Sequence, residues 1–253
     1  MSTPSHDNFA LVASDLRYRY RRNLPEAVAG IDLRVPAGQV YGLLGPNGAG
    51  KTTSISLLCT LFKPQAGTLD ICGIDALHQP RKARAKIGLV PQEIALYPQL
   101  TARENLAYFG RLFTLSGKHL RERIELCLEM VGLSQHADRR IDTFSGGMKR
   151  RANLAAGIVH DPQILFLDEP TVGIDAQSRS VLLENLHKLQ EQGTTMIYTT
   201  HYMEEAEQLC PRLAIIDTGH IIAEGSPREL VAEAGCRNLE ELFLQMTGRQ
   251  LRD

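Results

Sequence analysis

The chain has no tryptophan, and aromatic residues make up only 6% of its 253 positions. Its 21 glycines and 12 prolines show no periodic or clustered excess, which excludes a collagen-like or low-complexity chain. Cysteine is sparse: Cys59, Cys72, Cys127, Cys210 and Cys236 are odd in number, scattered and never spaced C-x-x-C. Neither a disulfide framework nor a zinc site is indicated, and a reducing cytosol is the simplest setting. Net charge is nearly absent, with 28 Lys and Arg against 29 Asp and Glu. That balance argues against a dedicated duplex-binding protein, because such proteins gain affinity from a net basic footprint.

Long apolar runs are missing too. Val40–Leu44 and Ile164–Leu167 are far shorter than the roughly 20 residues a helix needs to cross a bilayer, so no span is expected and membrane association would run through a partner. Met1–Asn8 is polar and lacks the basic-then-apolar pattern of a signal peptide, so export by the general route is not expected. No solenoid-like repeat and no long Gly/Ser or Pro linker separates tethered domains. What is present is 43% hydrophobic content, over a length that buries a sizeable core as one domain or two small ones.

Short apolar runs alternate with helical patterns. Ile31–Val35, Val40–Leu44, Ile87–Val90, Ile164–Leu167, Thr195–Thr199 and Leu213–Ile216 read as strands. Lys51–Leu61, Ser178–Gln192 and Met203–Leu209 read as helices, so an α/β layer with a largely parallel sheet is expected. In the second helix Val181, Leu182, Leu186 and Leu189 share a face, Ser178 can cap the start and Gly193 can stop the end. Between Thr101 and His160 the pattern changes: Thr101–Leu115, Lys118–Val131 and Gly146–Val159 are helical in spacing with no strand between them, which reads as an all-helical insertion.

Gly45-Pro46-Asn47-Gly48-Ala49-Gly50-Lys51-Thr52 fits G-x-x-x-x-G-K-[ST] and lies where the mechanism requires, after an apolar strand and before a helix. Its glycines let backbone N–H groups form a nest around phosphate oxygens, Lys51 adds charge near a γ-phosphate, and the Thr52 hydroxyl can hold Mg²⁺. Ile164–Asp168 supplies the second metal partner, an apolar strand ending in a carboxylate, and Glu169 follows at the carboxyl end of the strand as the expected general base.

Phe144-Ser145-Gly146-Gly147-Met148, ahead of Asp168, is similar to the L-S-G-G-Q signature, and with it the chain resembles the nucleotide-binding domain of ATP-binding cassette (ABC) proteins. Phe144 and Met148 depart from the commonest form; the serine and both glycines are intact. Ser145 opening a helix offers a hydroxyl, free N–H groups and a positive helix end, a second phosphate site. The resemblance resolves the presence of two phosphate sites by pairing two domains head to tail, so that each signature meets the other's ATP. It further implies Gln92 as the Q-loop residue sensing Mg²⁺ and the attacking water, Asp175 in Gly173-Ile174-Asp175 as the D-loop residue at the dimer contact, and His201 as the histidine that contacts the γ-phosphate. An aromatic residue near the start stacks on adenine in the family; Tyr20 fits best and Tyr18 is the alternative. The nucleotide-binding set so implied is Tyr20, Gly45 to Thr53, Ser145, Gly146, Gly147 and Asp175, with Thr52, Gln92 and Asp168 toward Mg²⁺ and Glu169, His201 and Gln92 toward hydrolysis. The basic and aromatic stretch Arg17–Arg22 could otherwise bind single-stranded nucleic acid, but no nucleic-acid partner is expected.

The resemblance spans about Leu16 to Ile222. It implies a P-loop NTPase core, about 10–92 and 160–225, with a mostly parallel sheet and an antiparallel β portion near the N-terminus. A helical subdomain of about 93–159 is inserted into it, and a short helical tail, 226–253, follows. That tail, with Leu239–Phe243 and Thr247-Gly248-Arg249, is similar to the ending of ABC-2 type ATPases of drug and polysaccharide exporters. The implied function is the ATPase subunit of such an exporter, using ATP and Mg²⁺. It would pair with a second copy or a paralogous ATPase and dock through helices between Thr101 and Val131 onto integral-membrane permease subunits at the cytoplasmic face of the inner membrane. The competing reading is a soluble ABC ATPase in cofactor assembly, translation or DNA maintenance.

Overall fold

The strands Val40–Leu44, Ile164–Asp168 and Thr195–Thr200 are buried at every position. Near-continuous apolar strands of this kind belong to a parallel sheet covered on both faces. The computed structural model describes residues 9–248, so the polar start Met1–Asn8 and Arg249 of the tail lie outside the described residues. The chain begins β1 (Phe9–Tyr18), β2 (Val28–Pro36), β3 (Val40–Leu44), α1 (Lys51–Leu58), β4 (Ala66–Ile71), β5 (Ile74–Asp75), α2 (Pro80–Arg84) and β6 (Ile87–Val90). A helical stretch follows, α3 (Ala102–Leu112), α4 (Gly117–Met130) and α5 (Gly146–Ile158). The chain then returns to the sheet with β7 (Ile164–Asp168), α6 (Ala176–Glu191), β8 (Thr195–Thr200), α7 (Met203–Leu209), β9 (Arg212–Asp217) and β10 (His220–Gly225), and ends in α8 (Pro227–Glu233) and α9 (Leu239–Thr247).

The larger sheet has the order β10-β9-β3-β8-β7-β6, parallel throughout except for the β10–β9 edge pair. The smaller, β2-β1-β4-β5, is antiparallel. Side chains of β7 show how the layers are held: Leu165 and Leu167 pack with the helices α3 to α5, while Ile164 and Phe166 pack with the antiparallel sheet and α1. Met196 and Tyr198 of β8 join the first group and Ile197 the second. The parallel sheet is therefore the shared wall of two cores, and the carboxyl ends of its central strands, where ligand crevices form in α/β sheets, carry residues 45, 168 and 201.

Several boundaries differ from the sequence expectation. The helix from Lys51 stops at Leu58, because Thr60 takes a left-handed backbone (φ 60°) and the amides of Leu61 and Phe62 both turn back to the Ser56 carbonyl at 2.8 and 3.0 Å. The first inserted helix ends at Leu112, with Thr114 at φ 66°, and Thr101 is its cap, in a capping box with Glu104. At α6 the cap is Asp175 and not Ser178. The Asp175 carboxylate accepts the Ser178 amide at 2.9 Å and the helix starts at Ala176, since an ionised acceptor outcompetes a hydroxyl one turn later. Strands β1, β4, β5 and β10 add to the expected set.

Phe166 is fully buried between the layers. Phe166→Ala is expected to lower the unfolding free energy by about 3–5 kcal/mol in urea titration; a loss under about 1 kcal/mol would mean that Phe166 is not packed into the core between the parallel sheet, the antiparallel sheet and α1.

Candidate functional site

The loop between β3 and α1 is shaped by its neighbours. A Cβ at Gly50 would lie 2.4 Å from the Ala27 carbonyl oxygen, and Gly50 sits at φ 106°, so only glycine can enter α1 this way. Gly45 and Ala49 are turned inward. Gly45 abuts the Ile216 backbone, and Ala49 is buried with its carbonyl accepting the Gly219 amide at 2.9 Å. Pro46, Asn47, Gly48 and Gly50, with Lys51, Thr52 and Thr53, form one wall of a cleft of about 300 Å³ that Tyr20, Gln92 and Glu169 complete. The first amides of α1 have no helical acceptor and face the same way as the helix dipole, a ready anion site.

Lys51 is buried, with Nζ donating to the carbonyls of Gly45 (2.8 Å) and Pro46 (3.3 Å) and lying 3.4 Å from Glu169 Oε1. Glu169 holds the centre. Its backbone is left-handed (φ 46°), a strained conformation for a side-chain-bearing residue, fixed by its amide donating to Thr199 Oγ1 at 2.9 Å. Gln92 Nε2 donates to Glu169 Oε2 at 3.3 Å, and His201 Nδ1 lies 3.3 Å from the same oxygen. The contact with His201, and then the Lys51 charge, hold the Glu169 carboxyl below its ordinary value against the opposing effect of burial. Asp168 is buried beside it, its Oδ1 accepting the Thr199 hydroxyl at 2.7 Å.

At the rim, Tyr18 lies flat on Phe62, with centroids 5.2 Å apart and 16° between planes, whereas Tyr20 stands edge-on to both and is 56% exposed. The Tyr20 hydroxyl is 3.0 Å from Thr53 Oγ1, which ties that ring to the first turn of α1.

Ser145, Gly146, Gly147 and Asp175 are not in this cleft. They form a separate ledge. Ser145 caps α5, its Oγ accepting the Met148 amide at 3.3 Å, and Gly147 is pressed on Ser178, whose Oγ would lie 2.1 Å from any Cβ there. Ser178 in turn donates its hydroxyl to Asp175 at 2.7 Å; the Ser178 amide, and then this hydroxyl, hold the Asp175 carboxyl below its ordinary value.

Sequence reasoning missed three residues that hold these parts together. Thr199 joins Asp168 to the Glu169 backbone from inside β8, where a threonine gives no motif signal. Arg150 and Asn153 share one face of α5, three residues apart, the spacing that could have flagged them. Arg150 donates to the carbonyls of Gln92 and of Val172 (2.9 Å), and Asn153 takes the Ala95 amide (3.1 Å) and donates to the Pro91 carbonyl (3.3 Å). The α5 helix that starts at Ser145 is thereby stapled along the segment carrying Gln92.

Among the described residues no cluster of three or more His, Cys, Asp and Glu side chains could hold a metal by itself. Thr52 lines the cleft and Asp168 does not; a hydroxyl beside an anion nest suits a small hard cation that keeps water and phosphate oxygens as its other ligands, as Mg²⁺ does.

The family model described as "ABC transporter" matches residues 28–172. The chain is 49% identical over 208 residues, 82% of its length, to the linearmycin resistance ATP-binding protein LnrL of Bacillus subtilis (strain 168), covering 67% of that protein. It is 47% identical over 214 residues to the Nod factor export ATP-binding protein I of Burkholderia lata, covering 84% of this chain and 70% of that one. Among solved structures, one titled as the ATP binding subunit of an ABC transporter superposes with a TM-score of 0.84 at 26% identity, over 94% of this chain and 99% of that one. The dimeric post-hydrolysis state of the ATP-binding cassette MJ0796, bound to ADP and Pi, superposes with a TM-score of 0.77 at 27% identity, over 85% and 98%.

A carboxyl held below its ordinary value contributes stability that is full above the unfolded-state value and is lost as pH falls through the folded-state value. Glu169→Gln is therefore expected to lower Tm at neutral pH, with the deficit shrinking as the pH drops below about 4.5. A deficit that is constant between pH 7 and pH 4 would mean that Lys51 and His201 do not act on an ionised Glu169.

Proposed function

Because this chain belongs to the ABC transporter family and is an ATP-binding, ATP-hydrolysing subunit of an exporter, we propose that two copies of it, or one copy and a paralogous ATPase, close head to tail around two ATP molecules. Each nucleotide then lies between the Lys51 loop of one protomer and Ser145 of the other. The observation that carries this reading is the division of the site: Lys51, Thr52, Gln92 and Glu169 share one cleft, and Ser145, Gly147 and Asp175 share a ledge outside it. Two phosphate-binding helix ends that do not face each other within one chain are both used when two chains face each other.

Lys51 exchanges its loop carbonyls for phosphate oxygens, and the first amides of α1 cradle the β-phosphate. Thr52 and Asp168 would hold Mg²⁺ with Gln92 beside it, and a bound ion would supply positive charge against the phosphate oxygens. Glu169, ionised at neutral pH, takes a proton from water at Oε2 while the water oxygen bonds to the γ-phosphorus. The bond to the β–γ bridging oxygen breaks, leaving ADP and inorganic phosphate. His201 and Gln92 converge on that same oxygen and fix where the water sits. Ser145 of the second protomer, at the positive end of α5, stabilises charge on the transferring group. Tyr20, exposed at the rim and tied to Thr53, is the ring placed to stack on adenine, in preference to Tyr18, whose face is covered by Phe62.

Among the described residues no helix is long and apolar enough to cross a membrane. We assign the chain to the cytoplasmic face of the inner membrane, held by permease subunits of an ABC-2 type exporter that contact the cargo themselves. Docking through α3 and α4 is supported by the exposed Tyr108, Leu112 and Leu126 on these helices.

Glu169→Gln is expected to cut turnover by about 10²–10⁴-fold while ATP and Mg²⁺ convert the variant to a dimer in sedimentation velocity. Lys51→Ala is expected to lose most ATP affinity by calorimetry. A Glu169→Gln protein with wild-type turnover, or one that stays monomeric with saturating nucleotide, would remove the proposal.

A further inference from the structure

Behind the cleft, and touching no residue assigned to nucleotide, one carboxylate is buried among hydroxyls. Glu205 of α7 is 3% exposed. Its Oε2 accepts three hydroxyls at once, from Tyr198 (2.7 Å), Thr171 (2.9 Å) and Thr200 (2.9 Å), all of them buried. Its Oε1 lies 3.5 Å from Arg179 Nε of α6. The Arg179 guanidinium also stands over the Tyr202 ring at 4.5 Å, and Thr200 Oγ1 accepts the Tyr202 amide at 3.0 Å.

A single oxygen that receives three donors has to be strongly negative. An ionised carboxylate offers that and a neutral amide does not. Such a charge is expensive to bury, and replacing a buried ionic cluster by apolar packing is often neutral or stabilising, so stability alone is a weak account of it. What the hydroxyls are attached to supplies another account. Thr171 is two residues beyond Glu169, and Thr200 immediately precedes His201. The loop after β7 and the end of β8 are thus tied to one atom, and each carries one member of the Glu169–His201 pair that meets at 3.3 Å. The third donor, Tyr198, sits inside β8 and ties neither loop.

We propose that Glu205 is a positioning residue that clips the Glu169 loop to the His201 loop from behind, through Thr171 and Thr200, and so fixes the approach of His201 to the carboxylate. The inference rests on the reading of Glu169 and His201 as the pair acting on water and γ-phosphate. Loss of the clip leaves the nucleotide cradle, which is built on α1 and β3, in place. It loosens only the groups that align the water, where displacements on the order of 1 Å cost up to about 10²-fold in rate.

The test uses Glu205→Gln, Thr171→Val, Thr200→Val and Tyr198→Phe in the full chain, with kcat, KM for ATP and thermal stability measured on each. Expected are kcat losses of roughly 10- to 100-fold for the first three with KM within about twofold of wild type. Tyr198→Phe removes an equally short hydrogen bond from the same oxygen and should lose stability while keeping kcat. If Thr171→Val and Thr200→Val turn over at the wild-type rate, or if Tyr198→Phe slows as much as they do, Glu205 is structural only and the proposal fails. Should Glu205→Gln not fold, the two threonine variants carry the same comparison. Glu169→Gln, assayed alongside, separates the two levels. Its full turnover would remove the premise and this inference together, whereas an inactive Glu169→Gln beside fully active threonine variants would remove the role of Glu205 alone.

Discussion

The arrangement turns on one buried anion. Glu169 is placed in a strained backbone at the end of a fully buried strand and is kept ionised by a histidine and a lysine that come from different segments of the chain. An uncompensated carboxylate there would cost several kcal/mol, so the three groups around it are as much a condition of folding as of chemistry. Each of them is also a connection to another part of the machine. Lys51 belongs to the phosphate loop, Gln92 to the segment stapled onto α5, and His201 to the end of β8. The three segments therefore meet on a single side chain.

The second constraint is the separation of two helix ends, the start of α1 in the cleft and the start of α5 on the ledge outside it. The α1 end is enclosed, with Lys51 already turned to loop carbonyls that a phosphate can replace. The α5 end is an outward ledge made rigid by close contact, Gly147 against Ser178 and Ser178 against Asp175. Arg150 and Asn153 join that ledge to the Gln92 segment. The cleft and the ledge of one chain are thereby joined by hydrogen bonds through α5.

Much of this was legible in the sequence where backbone chemistry punctuates it. Val40–Leu44 and the start of α5 at Gly146 agree with the expected bounds because glycine-rich loops end the one and open the other. Lys51, Gln92, Glu169 and His201, named from four distant segments, converge in space. The edge strands were harder. In β1 the alternation is broken at Ser14-Asp15, where Asp15 is left-handed (φ 47°), and β4 contains Gly67 and Asp70, residues poor in strand signal. Ser178 was assigned the cap that Asp175 supplies, since the two differ by one turn and both are good acceptors. Thr199 and Glu205 were illegible for a common reason: their importance lies in which distant backbone or hydroxyl group they reach, and that is a property of the assembled fold, whereas Arg150 and Asn153 left the trace of a shared helix face but not of the carbonyls they reach.

The claim that two chains share each nucleotide is tested most directly by complementation in the Glu169→Gln background. A Lys51→Ala chain lacks the cradle charge, and a Ser145→Glu chain repels phosphate at the ledge, so with ATP and Mg²⁺ each alone should stay monomeric. Mixed in equal amounts, they retain one intact composite pocket, Lys51 of one chain facing Ser145 of the other. Sedimentation should then show heterodimers that trap one nucleotide per pair. A mixture that stays monomeric, or a Ser145→Glu chain that dimerises as well as its parent, would contradict the account.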